Sequence, residues 1–327
     1  LSNVEKLSVS GFADEANTIN VANISADINT LVVTTAVAGT NTVTVNAAAD
    51  FNVEIIGSAI LAGDTLLVDS GAGTADALTI SNTNLATGTN QMGSNAMNIT
   101  ATDFETVTID SGSYTAATAQ LVNAINVGAA NALVLTGGNG FTTTATTGII
   151  TAATVDASGL SGGLIMNVAA AAGVTTITGS AGADTLRGDA ASTISGGSGN
   201  DTIVGGTGND TLNGDAGNDA ITTNTGNDTV DGGAGNDTFT FAGNLTSADK
   251  IEGGDGTDTL SITDASLTAM NALGVSAANT FNANFNNVET IKVTDALNQT
   301  SFDAGYFSGA TTFNLANITG AESLVGL

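Results

Sequence analysis

The sequence predicts an all-β protein: a right-handed parallel β-roll in the centre, flanked by β-solenoid or β-sandwich-like repeat domains, with one or two short helices. Three observations carry this prediction. Nonapeptides repeat in strict register from Gly196, the flanks alternate polar and apolar residues with a period of two, and aromatics are only 4% with no proline at all. With 327 residues and 42% hydrophobic content the chain can bury a sizeable core in two or three domains. The organisation expected is a β-rich repeat domain over 1–178, the roll over 179–262, and a second β-rich repeat domain, cut short, over 263–327.

The central repeat is read first. From Gly196 the chain runs GGSGNDTIV, GGTGNDTLN, GDAGNDAIT, TNTGNDTVD and GGAGNDTFT, five units of nine residues without slippage. GSAGADTLR stands at Gly179, a shortened GDAASTIS without the motif Asp at Gly188, and GGDGTDTLS at Gly253 after an interruption. Glycines at the first, second and fourth positions permit positive φ and close backbone approach, so that a tight turn aims its carbonyl oxygens inward. The eighth-position residues Leu186, Ile203, Leu212, Ile221, Val230, Phe239 and Leu260 fall on short strands and stack into a narrow core. Each nonapeptide is half a coil, which brings turns 18 residues apart above one another. A flexible glycine-rich linker shares the composition but holds no such register.

Charge gives the roll its chemistry. The 31 acidic residues face only Lys6, Arg187, Lys250 and Lys292, a formal charge of −27, which argues against nucleic acid and against direct binding to an anionic membrane. Cations are the natural partners. The repeat sets Asp184, Asp201, Asp219 and Asp237 along one side of the roll and Asp210 and Asp228 along the other, with 7 acids and no base between Gly196 and Thr240. Stacked carboxylates repel, so the stack requires a compensating ion. Carboxylate and carbonyl oxygens at flexible spacing suit Ca²⁺ better than Mg²⁺, and binding then drives folding.

Other chemistries are excluded by residues the chain lacks. Without cysteine there is neither a disulfide framework nor a zinc–thiolate site, and without histidine there is no Ser-His-Asp triad and no HExxH zinc site. A paired-carboxylate glycosidase using Asp103 and Glu105 stays formally open, but tryptophan for sugar stacking is absent. The expectation is a protein that is not an enzyme. No run of 18 apolar residues marks a membrane helix, no signal peptide is visible, and the chain starts at Leu1, so an interior or processed fragment is expected.

The flanks hold a second repeat. GAGTADALTI from Gly71 matches GDGTDTLSI from Gly254, and each is followed some 25 residues later by a related phrase, DFETVTI at Asp103 and NVETIKV at Asn287. NVEKLSV at Asn3 and AESLVGL at Ala321 read as further copies of that second half. NTVTVNA at Asn41, ALVLTG at Ala132 and TTITG at Thr175 have strand periodicity. Leu267, Met270 and Leu273 give Asp264 to Gly274 helical spacing, and a second short helix is expected around Ala116 to Asn126. The phrases VDSG at Val68, IDSG at Ile109, VDAS at Val155 and FDAG at Phe302 place an aspartate at a strand end, where it caps a turn.

The nonapeptide GGxGxDxUx resembles the RTX calcium-binding repeat, and RTX units among Thr-, Ala- and Asn-rich β repeats resemble Gram-negative surface-layer (S-layer) proteins exported by type I secretion systems. The RTX resemblance implies several calcium ions, each between two stacked turns and held by main-chain carbonyls and the sixth-position Asp. One site would join Gly196, Ser198 and Asp201 to Asp215, Gly217 and Asp219; a second would join Gly214, Ala216 and Asp219 to Gly233, Gly235 and Asp237. A third would set Gly205, Thr207 and Asp210 against Asn224, Gly226 and Asp228, with Gly197, Gly199, Gly179, Ala181, Asp184 and Asp258 completing the ligand positions. Asp215, Thr223 and Asn224 depart from the glycine pattern, and sites touching them are expected to be weaker or empty. The S-layer resemblance implies a secreted, cell-surface protein that self-assembles on calcium, with other copies of itself as partner and cell-surface polysaccharide contacted through other parts of the full-length protein. An RTX adhesin or self-polymerising extracellular fibre is the alternative.

Overall fold

The structure is a computed structural model that describes residues 5–9, 17–20, 28–33, 42–46, 50–55, 65–69, 76–82, 97–112, 120–128, 131–143, 150–166, 173–241, 245–271, 281–296, 301–307, 309–315 and 323–325. The fold is all-β, with parallel sheets throughout and very few helices. It forms two compact units, Leu1–Thr185 and Leu186–Leu327.

In the first unit successive strands alternate between two parallel sheets, the arrangement of a solenoid. One sheet orders Lys6–Val9, Thr30–Val33, Phe51–Ile55, Ala77–Asn82, Thr106–Asp110, Ala132–Gly137, Thr154–Leu160 and Thr176–Thr178. The other orders Asn17–Asn20, Thr42–Asn46, Thr65–Asp69, Met97–Thr102, Gln120–Asn126, Phe141–Thr143 and Leu164–Met166. The period of two appears directly as burial: Val107 and Ile109 point inward on one strand, and Leu133 and Leu135 on the next. Coils are long here, pairing Thr30 with Asn52 and Ala77 with Thr106. The longer strands therefore send two apolar side chains into the core, as Phe51 and Val53 or Leu78 and Ile80 do.

The flank repeat has a structural meaning: its two halves are stacked neighbours. Ala77–Asn82 pairs with Thr106–Asp110 in the first unit, and Thr259–Ile262 pairs with Thr290–Val293 in the second. The strand Lys6–Val9 follows Glu5 as Thr290–Val293 follows Glu289, in keeping with the copy at Asn3. The segment expected as a second helix is instead the strand Gln120–Asn126, paired on both sides by Met97–Thr102 and by Phe141–Thr143 with Ile150–Thr151. Its apolar spacing fits either period, and main-chain pairing with two neighbours decides for the strand. The part of that expectation over 116–119 lies outside the described residues.

The second unit opens on the roll. Strands of three or four residues alternate between two parallel ladders, Thr193–Ser195 with Thr211–Asn213, Thr229–Asp231 and Lys250–Glu252 on one, and Thr202–Val204 with Ala220–Thr222, Thr238–Phe241 and Thr259–Ile262 on the other. The register runs Thr193 to Thr211 to Thr229, the 18-residue coil that the sequence predicts. The three-residue half-coils each bury one apolar side chain, Ile194, Ile203, Leu212, Ile221, Val230 and Ile251, while the four-residue strands at the far end bury two, Phe239 with Phe241 and Leu260 with Ile262, all 0–1% exposed. So thin a core leaves the turns to supply much of the stability.

Past the roll the coil widens again. The helix Asp264–Asn271 is capped by Thr263, whose Oγ1 accepts from Ser266 N at 3.3 Å, and it buries Leu267 and Met270. Leu273 lies outside the described residues. Phe281, Phe285 and Phe307 form an aromatic cluster with ring centroids 5.5–5.8 Å apart.

Candidate metal centre

The roll presents two edges of turns. Turns beginning at Gly196, Gly214, Gly232 and Gly253 form the first edge; those beginning at Gly205 and Thr223, with residues 245–249, form the second. On the first edge the third-position residues bridge from turn to turn, Ser198 to Ala216, Ala216 to Ala234 and Ala234 to Asp255. The second-position residue in these turns has positive φ: 100° at Gly197, 69° at Asp215, 94° at Gly233 and 98° at Gly254. Asp215 thus takes a backbone conformation that suits glycine. Its carboxylate offsets this by accepting from Ser195 Oγ and from Gly197 N at 3.1 Å.

Two side-chain ladders staple successive turns, with opposite polarity. Each sixth-position Asp accepts on Oδ1 from the backbone N–H of the acid one coil earlier: Asp219 from Asp201 (2.7 Å), Asp237 from Asp219 (2.8 Å) and Asp258 from Asp237 (2.8 Å). On the second edge Asp210 accepts from Ser192 (2.8 Å), Asp228 from Asp210 (2.9 Å) and Asp249 from Asp228 (2.7 Å). The fifth-position Asn accepts in the other direction, Asn200 from Asn218 N (2.8 Å), Asn218 from Asn236 N (2.6 Å), Asn236 from Thr257 N (2.8 Å) and Asn209 from Asn227 N (2.9 Å). Carboxylates that accept backbone N–H groups make strong, charge-assisted bonds.

Sequence reasoning missed the Asn ladder, and it missed Asp249. Both were visible: Asn precedes Asp in every regular unit, and Asp249-Lys250-Ile251 before Gly253 repeats the Asp-x-apolar ending of the motif. What reads as an interruption is a degenerate half-coil. Likewise Ser192, 3% exposed, occupies the Asp position of the unit at Gly188, which is one residue short.

The second carboxylate oxygens expose the electrostatic problem. Oδ2 of Asp219, Asp237 and Asp258 is buried with no hydrogen-bond partner, and these residues are 2%, 1% and 0% exposed. Burial pushes Asp219, Asp228 and Asp258 up to about 6, with neighbouring carboxylates adding to the shift, and pushes Asp184, Asp210, Asp237 and Asp249 up as well. A Cβ on Gly214 or Gly232 would sit 2.4 Å from Oδ2 of its own unit's Asp, which explains the first-position glycine. Among the described residues no three acidic side chains converge on one point. An ion held here must therefore take main-chain carbonyls for most of its ligands. Unmatched buried anionic oxygens beside glycine carbonyls are the donor set that Ca²⁺ accepts, and the residues fit it.

The expected ligands are not all free in the same way. The carbonyls of Gly197, Asp215 and Gly233 accept from Ala216, Ala234 and Asp255 N, and the carbonyl of Ala216 accepts from Gly199 N. The first- and fourth-position carbonyls instead face glycine Cα atoms: those of Gly214 and Gly232 over Gly196 and Gly214, those of Gly199 and Gly217 over Gly217 and Gly235. On the second edge Thr207 N donates to Asp189, and the Gly205 carbonyl accepts from Asn224 Nδ2 at 2.7 Å. A Cβ on Gly226 would come within 2.9 Å of Asp228 Oδ1. Asp184 lies in the first unit, where it accepts from Leu164 N (2.5 Å), Ser180 N (2.6 Å) and Ser180 Oγ (2.7 Å); Ala181 N bonds the Leu160 carbonyl, and the adjoining Gly179 is buried.

Outside the roll several acids bond the main chain, while Glu54 pairs with Lys6 Nζ at 2.7 Å. Glu105 Oε2 accepts from Asp76 N at 2.5 Å, and Glu289 Oε2 accepts from Asp258 N at 2.8 Å, so the two copies of the ET phrase make the same clamp. Asp110, Asp156 and Asp303 each accept from the amide two residues on, at 2.8–2.9 Å. Asp156 does so inside a strand that continues to Leu160, at a register shift, and not at a strand end. The side chain of Asp69 lies outside the described residues.

Stacked glycine turns with inward carboxylates define a calcium-binding parallel β-roll. A family model described as the RTX calcium-binding nonapeptide repeat (4 copies) matches residues 170–192, 188–221, 195–228, 213–243 and 245–261, and the chain is an RTX repeat protein in this segment. No curated protein matches the chain. No solved structure matches it either.

Proposed function

We propose that the protein is a secreted, non-enzymatic structural protein of the bacterial cell surface, exported by a type I system, whose roll folds on calcium and which assembles with copies of itself into an S-layer. The observation that carries the calcium part is the row of buried, unmatched oxygens on Asp219, Asp237 and Asp258, which a cation relieves outside the cell and which leaves the ion-free roll poorly stabilised where calcium is scarce. The structural part rests on how the acids are used. Glu105, one of the carboxylates weighed above for glycoside hydrolysis, is engaged with the main chain of Asp76. An RTX adhesin or extracellular fibre fits the same roll equally well, because both need a calcium-stiffened segment and neither needs a catalytic group.

Electron microscopy of the calcium-loaded chain at high concentration separates these readings. Planar sheets that dissolve in EGTA support the S-layer; filaments or calcium-rigid monomers move the assignment to the fibre or adhesin. Hydrolytic activity of the calcium-loaded chain on polysaccharide would overturn the structural reading.

A further inference from the structure

The carboxylates on the two edges of the roll are not equivalent. On the first edge Oδ2 of Asp219, Asp237 and Asp258 is buried without a donor. On the second edge the acids at both ends are saturated by amides: Asp210 accepts from Ser192 N at 2.8 Å and Gly206 N at 2.7 Å, and Asp249 from Asp228 N at 2.7 Å and Thr246 N at 2.6 Å. Between them Asp228 accepts from Asp210 N at 2.9 Å on Oδ1 alone, and it is the member of this edge whose charge is least compensated. The unmatched oxygen on this edge is the neutral Thr223 Oγ1, which carries no charge to compensate.

Asn224 adds a second, independent difference. Its Nδ2 donates to the Gly205 carbonyl at 2.7 Å, so a side-chain amide occupies an oxygen that a cation would otherwise take. Asn224 has φ 66°, a conformation that asparagine tolerates better than most residues, so it preserves the turn while supplying the donor. N–H donors on both oxygens compensate part of a buried carboxylate's charge, whereas a bare buried oxygen has no such compensation and calls for a cation or a proton.

We infer that calcium loads only the first edge of the roll, and that the second edge is held without ions by amide donors, with Asn224 standing in the place of one. The inference rests on the calcium-roll reading and goes beyond it in assigning which turns bind. Ions then stack along one side, and the other side binds none of its own but depends on the first edge for register, so both open when calcium is removed.

Native mass spectrometry of the full chain at saturating calcium, with circular dichroism to confirm folding, tests this. D210N and D228N should keep the wild-type ion count, while D219N and D237N should each lose at least one ion. N224G, which removes the amide, should gain one. Loss of an ion in D210N or D228N overturns the one-edge assignment, and an unchanged count in N224G overturns the role given to Asn224. The second-edge pair decides even where a first-edge variant does not fold. A wild-type chain that takes up no calcium defeats the calcium reading itself, a different outcome from any of these.

Discussion

Asp219 in the roll and Glu105 in the first unit make the same bond, a carboxylate oxygen accepting the backbone N–H of an acid one coil earlier, at 2.7 and 2.5 Å. What surrounds the bond differs. Asp219 follows a five-residue glycine turn and is 2% exposed with its second oxygen unmatched; Glu105 follows the short turn Asp103-Phe104, where Asp103 has φ 66°, and is exposed. The glutamate side chain is exposed to solvent, whereas the second oxygen of the aspartate is buried. The longer side chain and shorter turn should therefore make a coil that needs no ion, and the shorter side chain and longer turn one that calls for a cation. The core differs in the same sense, with two apolar side chains on the longer strands of the first unit, such as Val107 and Ile109, and one on the three-residue strands of the roll.

The comparison breaks most directly under chelation. In EGTA the amides of 196–241 should lose hydrogen-exchange protection by orders of magnitude, while the buried strands Thr106–Asp110 and Ala132–Gly137 keep theirs. Equal loss in both regions would show that the first unit also depends on the ion.

Glycine substitutions give the next largest effect. In G214A the added Cβ would meet Asp219 Oδ2 at 2.4 Å and the Gly232 carbonyl at 2.5 Å, so the calcium-loaded roll should lose about 2–3 kcal/mol in denaturant titration. In G309A, where φ is 97° but nothing lies within 4 Å, only the backbone conformation is strained, at about 1 kcal/mol. A G214A roll as stable as G309A would mean that the carboxylate is not held where the structure puts it.

Acid should partly replace calcium. The ion-free roll holds Asp219, Asp228 and Asp258 at about 6 against an ordinary 3.8, so between these values the folded chain binds protons that the unfolded chain does not. Stability of the ion-free roll therefore rises as pH falls from about 6 toward 4 and is lost as pH rises through about 6. Circular dichroism of the roll in EGTA should show β content increasing over that interval. A signal that instead falls on acidification would contradict the burial of unmatched carboxylates.

How much of this was legible depends on how local each signal is. The nine-residue register fixes the roll, its eighth-position core and the alternation of edges, because every half-coil repeats the same turn chemistry. The flank repeat was visible as likeness between its copies, DFETVTI and NVETIKV, but not the stacking of its two halves on each other. That the glutamate in each is a clamp requires knowing which amide lies one coil away, and coil length in the flanks is irregular, with partners such as Thr30 and Asn52 or Ala77 and Thr106. The same limit hid Asp249, whose partner Asp228 is 21 residues away and not 18. The strand Gln120–Asn126 was misread because a short apolar run carries both periods, and only its neighbours' main-chain groups distinguish them.

The smallest expected effect sharpens the comparison most, because it separates two residues in the same motif. Glu105 and Glu289 each accept one backbone N–H, but Glu105 serves Asp76 in an ion-independent coil, whereas Glu289 serves Asp258, whose Oδ2 is buried and unmatched. E105A should remove about 1 kcal/mol from the first unit without moving the calcium midpoint of the roll. E289A removes a bond of the same kind, yet it also frees the Asp258 amide and withdraws a negative charge beside Asp258, so it should shift that midpoint by a few-fold. Calcium titrations of the two variants, followed by circular dichroism, read both effects. If E105A moves the midpoint as far as E289A, the coil at Glu105 is coupled to the ion, and the contrast between exposed glutamate and buried aspartate does not mark the boundary of calcium dependence.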